Sequence, residues 1–410
     1  MGSDVDVDAI RAARQVIEGV AKHTPVVASA ALADRWADGT HREIVLKAEN
    51  LQRTGSFKIR GAVNKVASLG ERGAAGVTTG SAGNHAQALA FAARHFDVPC
   101  QIYVPVGAPI TKIEACRAYG ATVDEIGHSL TEAVAAARTR ADSDGMTFCS
   151  PYDDPAVVAG QGTLGLEVLE DVPDVSSIVI PLGGGGLASG VAIAVKSQRP
   201  DVRVIGVQAA VCAPYAGAEV PEGPVLTLAD GIAVKRPGEV TGPLVERWID
   251  EIVTVGENAI ADAMVLLMDR SKLYAEGAGA VGVAAVMCGA VEPAVSGTTC
   301  IVVSGGNVDL GVVPGLIRRH ENEAGRRLAV FARIDDRPGG LAALLSVFAE
   351  GGADLIEVDH IREGLDLHVR ETGINATFAV RSAAHGDLIM RNVREAGFGI
   401  ELGLSARPPR

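Results

Sequence analysis

The sequence is poor in aromatic residues and has an excess of acidic side chains. Only 4% of its 410 residues are Phe, Trp or Tyr, whereas 49 are glycine. Packing must therefore rest on Ala, Val, Leu and Ile, with many close approaches of the backbone. The net charge of −13 argues against nucleic acid or an anionic membrane as a partner. Hydrophobic residues still make up 48%, which indicates a globular chain of two or three domains.

The chain also lacks the common metal, redox and targeting patterns. Its six cysteines form no CxxC, and its nine histidines form no HExxH. We therefore expect reduced, mostly buried thiols rather than a metal site. The start, "MGSDVDVDAI", shows no basic region followed by an apolar run, so no signal peptide is expected. The least interrupted apolar run, 280–291, is too short to span a bilayer. These absences predict a cytoplasmic protein.

Apolar runs and amphipathic segments alternate along residues 9–320. This order predicts βαβ units, and hence parallel sheets with helices on both faces. A charged stretch at 317–327 follows, and we interpret 321–327 as a linker. Beyond it, residues 328–405 show the order βαββαβ, which is typical of a ferredoxin-like domain.

A glycine-rich turn, "PLGGGGLASG" at 181–190, follows a predicted strand and opens a predicted helix. Such a turn exposes backbone N–H groups at a helix N-terminus, where phosphate binds. Gly183, Gly185 and Ala188 match the dinucleotide pattern GxGxxA, but the next strand ends at Gln208 rather than at an acidic residue. No GxxxxGK[ST] is present. A compact single phosphate therefore fits this turn better than a pyrophosphate.

A lysine lies between two apolar residues in "TGSFKIRGA" at 54–62. Burial between Phe57 and Ile59 would lower the pKa of Lys58 and favour its neutral amine. An amine of this kind together with a single-phosphate cradle suggests pyridoxal phosphate, whose aldehyde is held covalently by a lysine. We therefore predict that Lys58 carries this cofactor.

Two further turns are candidates for ligand binding. "TTGSAGNHAQALA" at 78–90 places a Ser–Ala–Gly–Asn turn at a helix start, which would suit a substrate carboxylate. An ordinary capped turn would explain the same residues. "CIVVSGGNVDL" at 300–310 places Ser304 and Asn307 at the carboxyl end of a buried strand, the edge at which open α/β sheets bind ligands.

With these stretches in hand, the sequence resembles the threonine dehydratases (threonine ammonia-lyases) of the tryptophan-synthase-β-like, fold type II pyridoxal phosphate enzymes. The resemblance covers about residues 10–320. The motifs that carry it, in order, are "SFKIRGA", "SAGNHAQ", "GQGTLGLE", "GGGGL", "LADGIAVKRPGE" and "SGGNVDL". It implies an α/β catalytic domain over 1–320 with two open parallel sheets, the smaller subdomain being inserted at roughly 55–155.

The resemblance also implies a role for each matching residue. Lys58 would hold the cofactor and later remove the α-proton of the substrate. The other cofactor-binding residues would be Phe57, Asn84, Gly183, Gly184, Gly185, Gly186, Leu187 and Ser304. The loop for the substrate carboxylate would be formed by Ser81, Ala82, Asn84 and His85.

Differences between this chain and the related serine racemases narrow the range of expected activities. Serine racemases carry a serine where this chain has Ala82, so we expect poor racemase activity. The same branch binds a divalent metal through carboxylates near "VQAAVCAPYAG", where Gln208 stands here, so we predict no metal site. Glu276 matches a family glutamate near the cofactor, and a carboxylate stabilising a helix N-terminus would explain it equally well.

The C-terminal region more loosely resembles an ACT-type regulatory domain, with "DDRPGGL" at the ligand-binding turn of that family. This implies an amino acid effector, such as isoleucine or valine, bound between paired domains of a homodimer or homotetramer. Gly339 and Gly340 would allow the close approach of a ligand backbone.

The sequence therefore predicts an enzyme that deaminates L-threonine or L-serine. Three alternatives remain open at this point. They are a lyase for another β-hydroxy amino acid such as 3-hydroxyaspartate, a serine racemase-like enzyme, and a non-catalytic amino acid sensor. An aspartate-like substrate would require an added cation in the pocket, for which Arg117, Lys235 and Arg236 are candidates.

Overall fold

A computed structural model describes residues 5–36, 42–362 and 367–403 of the chain. The chain divides into two compact units, Met1–Asp309 and Leu310–Arg410. None of the helices in the described ranges is long and apolar enough to cross a membrane.

The helices are α1 Val7–Ile17, α2 Ala30–Ala33, α3 Lys58–Ala67, α4 Asn84–His95, α5 Ile110–Ala118, α6 Leu130–Asp144, α7 Pro155–Asp171, α8 Gly186–Lys196, α9 Thr241–Trp248, α10 Glu257–Leu266, α11 Gly277–Met287, α12 Val313–Glu323, α13 Gly340–Glu350 and α14 Ala383–Glu395. The strands are β1 Val26–Ala28, β2 Glu43–Ala48, β3 Val77–Gly80, β4 Cys100–Val104, β5 Thr122–Glu125, β6 Thr147–Phe148, β7 Val175–Pro181, β8 Arg203–Ala209, β9 Glu251–Val255, β10 Thr298–Val303, β11 Arg327–Asp335, β12 Asp354–Ile361, β13 Glu371–Ala379 and β14 Gly399–Leu402.

The first unit contains two sheets. The larger has the strand order β1-β2-β10-β7-β8-β9, and only β1 runs antiparallel to its neighbour. The smaller has the order β5-β4-β3-β6 and is entirely parallel. The central strands β7, β8 and β10 are almost wholly buried, as their runs of Val and Ile require when helices cover both faces. The predicted α/β class with open parallel sheets is confirmed.

After helix α12, the second unit has the predicted element order βαββαβ. Its antiparallel sheet runs β12-β13-β11-β14. In its core the rings of Phe348 and Phe378 stack with their centroids 3.9 Å apart. The last two residues of the predicted domain, 404 and 405, lie outside the described ranges.

The division between the two units falls after Asp309. Helix α12 extends to Glu323 and so covers residues 321–323 of the predicted linker. Its charges include the pair Arg319–Glu323 at i and i+4, which supports a helix at these residues.

Three helices of the first unit pack at close range through glycine. A Cβ atom on Gly190 of α8 would lie 2.4 Å from the carbonyl oxygen of Val158 in α7. A Cβ atom on Gly160 of α7 would lie 2.6 Å from the carbonyl oxygen of Arg60 in α3. Only glycine permits such contacts between backbones, so α3, α7 and α8 form one closely packed layer.

A buried ionic cluster fixes helix α3 in this layer. Arg60 is fully buried, and its guanidinium donates to both carboxylate oxygens of Glu49 at 2.8 Å. It also donates to the two oxygens of Glu167 in α7, at 2.6 and 2.9 Å. Lys47 of β2 lies 2.9 Å from Glu167 and from Asp171. Buried charges are tolerated only when paired, so these contacts determine the position of α3.

Replacing Arg60 with Ala should destabilise the first unit by about 3–5 kcal/mol, because two buried carboxylates lose their partner. Urea denaturation measures this loss. Arg14→Ala is the matched control, since Arg14 pairs with Glu170 at the surface and should cost less than about 1 kcal/mol. Equal losses in the two variants would contradict a dominant role for the buried cluster.

Candidate active site

Lys58 is the first residue of α3 and lies in a pocket where its positive charge is poorly compensated. Its Nζ atom donates to the carbonyl oxygen of Pro151 at 2.8 Å and lies 5.1 Å from the centroid of the Phe57 ring. Among the described residues, Lys58 forms no ion pair. Burial lowers the pKa of Lys58 to about 8, against a smaller opposing effect of the Glu276 carboxylate. Near pH 7 roughly a tenth of this amine is therefore neutral, far more than for an ordinary lysine.

The glycine loop follows β7 and leads directly into α8, as predicted. Gly185 has a φ of +94°, which turns the chain into the helix. A Cβ atom on Gly184 would lie 2.3 Å from Cγ of Tyr152, and a Cβ atom on Gly183 would lie 2.9 Å from Cα of Ile232. N–H groups in the first turn of a helix have no partner within the helix, so Gly186 and Leu187 present an anion site.

Side chains that were not predicted from the sequence hold the glycine loop in place through hydrogen bonds. The carbonyl oxygen of Gly184 accepts hydrogen bonds from Thr241 Oγ1 at 2.6 Å and from the Tyr215 hydroxyl at 3.3 Å. Asp153 accepts from the backbone N–H of Val240 at 2.8 Å and of Thr241 at 3.1 Å. The loop thus points its carbonyl groups toward protein, which leaves its N–H groups for a ligand. The segment 151–153, between Lys58 and the loop, connects the two.

The predicted carboxylate loop lies at the start of α4, where the smaller sheet ends. Ser81, Ala82 and Asn84 are partly buried there. His85 is buried, and its Nε2 lies 3.0 Å from the carbonyl oxygen of Cys149, so this nitrogen carries the proton. Burial lowers the pKa of His85 to about 3, with a further lowering by Lys58. The imidazole is therefore neutral and turned toward protein, so only the backbone of His85 can meet a substrate.

Asn84, Glu276 and Ser304 come together from distant parts of the chain. Asn84 Nδ2 donates to Glu276 Oε1 at 2.7 Å. Burial is the main cause that raises the pKa of Glu276 to about 7, and the charge of Asp230 adds to it, whereas the hydrogen bond from Asn84 opposes it. Ser304 follows β10, and its carbonyl oxygen accepts from the N–H of Phe57 at 3.1 Å. Glu276 precedes α11, yet its carboxylate contacts Asn84 and is not only a partner of that helix.

Gln208 has a structural role that explains why no acid stands at this position. Its Nε2 donates to the carbonyl oxygen of Leu182 at 3.2 Å. Its Oε1 accepts from the N–H groups of Tyr215 at 3.0 Å and Ala216 at 3.1 Å. A buried carboxylate could not supply the first of these bonds. Within the described residues, no group of three or more His, Cys, Asp or Glu side chains could hold a metal ion.

Comparison with known proteins assigns the family. Residues 17–305 match the model of the pyridoxal-phosphate dependent enzymes. The L-threonine ammonia-lyase of Thermotoga maritima is 42% identical over 406 residues, 97% of this chain and 99% of its own. The chain belongs to the pyridoxal-phosphate dependent enzymes.

Two solved structures share this fold. The threonine deaminase of T.th. has a TM-score of 0.68 and 36% identity, covering 74% of this chain and 99% of its own. The serine racemase of maize has a TM-score of 0.70 and 33% identity, covering 78% of this chain and 98% of its own. These structures match almost completely along their own length but leave about a quarter of this chain unmatched.

The residues of the pocket fit the cofactor of this family. A phosphate needs backbone N–H donors without side chains in the way, which Gly183–Gly186 provide. The aldehyde needs a neutral amine, and burial lowers the pKa of Lys58 to about 8. Ser304 is 2% exposed and would offer an uncharged hydroxyl to the ring nitrogen.

In the cofactor-free protein, acetylation of Lys58 by acetic anhydride should reach half its maximal rate at about pH 8, because burial disfavours the charged amine. An ordinary lysine would require a pH of about 10.4. Glu276→Gln should lower this midpoint, since it removes a negative charge that stabilises the ammonium. Peptide mass spectrometry over a pH series measures the rate, with the exposed lysines of the same sample as reference. A midpoint at the ordinary value would contradict the pocket described here.

Proposed function

We propose that this protein deaminates L-threonine to 2-oxobutanoate and ammonia, and L-serine to pyruvate and ammonia. The observation that carries the reaction class is the Lys58 amine, which is partly buried, forms no ion pair among the described residues and donates to the carbonyl oxygen of Pro151. The next residue, Tyr152, borders Gly184 of the glycine loop. The substrate is inferred from the Thermotoga maritima relative, whose name is L-threonine ammonia-lyase. Together they favour β-elimination from a small hydroxy amino acid.

The cofactor and Lys58 would have different roles in this reaction. Bound pyridoxal phosphate withdraws electrons from the α-carbon of an amino acid and so makes its proton acidic. Lys58 holds the cofactor and, once released from it, removes this proton as general base. Its lowered pKa supplies the neutral amine that both tasks require.

Besides Lys58, five backbone positions and three side chains would hold the cofactor. Gly183–Gly186 and Leu187 would bind the phosphate through N–H groups. Asn84 would donate to the ring hydroxyl oxygen through Nδ2, whose other proton goes to Glu276. Ser304 would meet the ring nitrogen without charge, and Phe57 would pack beside the ring. A neutral partner at the nitrogen favours elimination over transamination.

The turn at the start of α4 would bind the substrate carboxylate. Ser81, Ala82, Asn84 and His85 would contribute mainly through their backbone, because the His85 side chain contacts Cys149. Ala82 has no ionisable proton, so this position would supply no second acid on the face opposite Lys58. We therefore expect weak racemisation despite the likeness to maize serine racemase.

A lyase for 3-hydroxyaspartate is the second candidate function. Such a substrate would require a cation in the pocket, and Lys112 is the residue to consider. Lys235 donates to the carbonyl oxygen of Glu222, Arg117 donates to that of Val123, and Arg236 is exposed. Lys112 instead acts electrostatically on Glu276, but its Nζ lies 3.9 Å from a carboxylate oxygen of Asp230. Because Asp230 compensates its charge, we favour the smaller substrate.

Purified protein supplied with pyridoxal phosphate should convert L-threonine to equal amounts of 2-oxobutanoate and ammonia. Lys58→Ala should reduce kcat at least about 10³-fold, since it removes the general base. Lys65→Ala, on the same helix and paired with Asp154, is the matched control and should keep near-normal turnover. Cofactor absorbance and oxo acid release measure these effects.

The possible outcomes separate the candidates. A shift in cofactor absorbance without oxo acid from L-threonine or L-serine would move the assignment to 3-hydroxyaspartate. D-serine accumulating faster than pyruvate would indicate a racemase. Failure to bind the cofactor, combined with amino acid binding to the second unit, would leave the non-catalytic sensor.

The second unit offers a site for an amino acid effector. A cavity of about 550 Å³ lies along the turn 335–339, beside the N-terminus of α13. Ile334, Leu341 and Leu345 form apolar lining. Asp335 and Asp336 also line it and pair with Arg337 and Arg362, so the cavity offers both carboxylate and guanidinium groups to the charged ends of an amino acid. We propose an ACT-type role, in which this cavity binds isoleucine or valine and changes the rate of the first unit.

Isothermal titration calorimetry with L-isoleucine and L-valine should detect binding to the full chain. Leu345→Trp should abolish it, because the larger ring fills the cavity. Leu388→Trp places the same ring on the exposed face of α14 and should leave binding intact. Equal binding to both variants would exclude this cavity as the effector site.

Several expectations from the sequence stay predictions. These are the cytoplasmic location, the homodimeric or homotetrameric assembly, the lack of a divalent metal and the domain limits 1–320, 321–327 and 328–405.

A further inference from the structure

Asn307 joins two loops that carry proposed cofactor residues. It follows β10 in the same loop as Ser304. Its Nδ2 donates to the backbone carbonyl oxygen of Thr54 and to Asn84 Oδ1, both at 2.8 Å. Thr54 begins the turn that leads to Lys58, and Asn84 begins α4. One amide nitrogen thus contacts both neighbouring loops of the site.

The direction of these hydrogen bonds is fixed at one end. A backbone carbonyl oxygen can only accept, so the atom of Asn307 that faces Thr54 must be nitrogen. That nitrogen then donates its second proton to Asn84, which must present Oδ1. Asn84 Nδ2 is consequently turned toward Glu276 and the cleft. Reversal of the Asn84 amide would place two donors face to face.

The turn before Lys58 is shaped against Asn307. Thr54 has a φ of +58°, a left-handed conformation that is rare for a β-branched residue and needs support from its surroundings. Gly55 follows with a φ of +73°, and a Cβ atom there would lie 2.3 Å from Asn307 Oδ1. The N–H of Gly306 also donates to the carbonyl oxygen of Gly55 at 2.8 Å. The strained turn therefore closes directly on the Asn307 side chain.

We propose that Asn307 is a positioning residue that orients the Asn84 amide toward the cofactor ring and holds the Lys58 turn in place. It acts through these two groups, and its effect on the cofactor rests on the function proposed above. This role does not require contact between Asn307 and the cofactor.

Two substitutions test this role. Asn307→Asp keeps the shape but replaces the donor with an acceptor, so it repels the Thr54 carbonyl and forces the Asn84 amide to reverse. Asn307→Ser keeps a single proton and can satisfy only one of the two acceptors. Both variants should weaken the binding of pyridoxal phosphate at least about tenfold, and Asn307→Asp should do so more strongly.

Asn50→Ala is the matched control. Asn50 is a buried asparagine, and its Nδ2 donates to the carbonyl oxygen of Tyr274 at 3.1 Å. Its Cβ atom borders Gly306 in the same loop. This variant should lose thermal stability as the Asn307 variants do, yet keep the cofactor affinity and spectrum of the parent protein.

Three readouts on the full chain decide the matter. Titration of the cofactor-free protein with pyridoxal phosphate gives the affinity. The ratio of the visible absorbance bands reports the protonation of the ring hydroxyl, which the Asn84 amide contacts, and this ratio should change in the Asn307 variants alone. In addition, Asn307→Ser should weaken cofactor binding by less in an Asn84→Ala background than in the parent protein. In that background the substitution can no longer act through the Asn84 amide.

The outcomes separate this proposal from the function it rests on. If the parent protein binds cofactor and deaminates threonine while the Asn307 variants keep the parent affinity and band ratio, the positioning role is wrong and the function stands. Equal losses of affinity in Asn50→Ala and the Asn307 variants would also overturn it. A parent protein that binds no pyridoxal phosphate would contradict both the positioning role and the proposed function.

Discussion

The buried pairing of Arg60 with Glu49 and Glu167 is the constraint on which the site depends. A charge removed from water is tolerated only in well-matched geometry, so the cluster allows one position of α3 against β2 and α7. Lys58 begins the same helix only two residues earlier, and no ion pair in the described structure compensates it. One helix thus carries two cations with opposite fates, Arg60 fully buried and Lys58 partly buried. Arg60 keeps its charge and sets the geometry, whereas Lys58 is pushed toward its neutral, reactive form.

The site lies where three parallel strands end. The carboxyl ends of β3, β7 and β10 lead into the carboxylate turn, the glycine loop and the Ser304 loop, respectively. Each loop is short and starts from a buried strand, so its backbone N–H groups are held without a large loss of chain entropy on ligand binding. This arrangement explains how a chain with so few aromatic residues can still present an ordered pocket.

Local patterns in the sequence predicted the sheets, the glycine loop, Lys58 and the order of elements in the second unit, because each depends on neighbouring residues. Contacts between distant residues could not be predicted in this way. Asn84 and Glu276 are 192 positions apart, and Asn307 and Thr54 are 253 apart. The support of Gly184 by Tyr215 and Thr241 was missed for the same reason. Helix α12 ends at Glu323, within the charged stretch 317–327, and the pair Arg319–Glu323 along it is a contact that composition alone does not specify.

The glycine contacts among α3, α7 and α8 have a consequence for how this sequence can change over time. Backbone atoms in direct contact have no rotamers through which an added methyl group could be accommodated. Substitution at Gly160 or Gly190 would force whole helices apart, and those helices begin with Lys58 and with the end of the glycine loop. Tolerated substitutions in this layer are therefore expected on the outward faces of the helices, whatever substrate the pocket comes to accept.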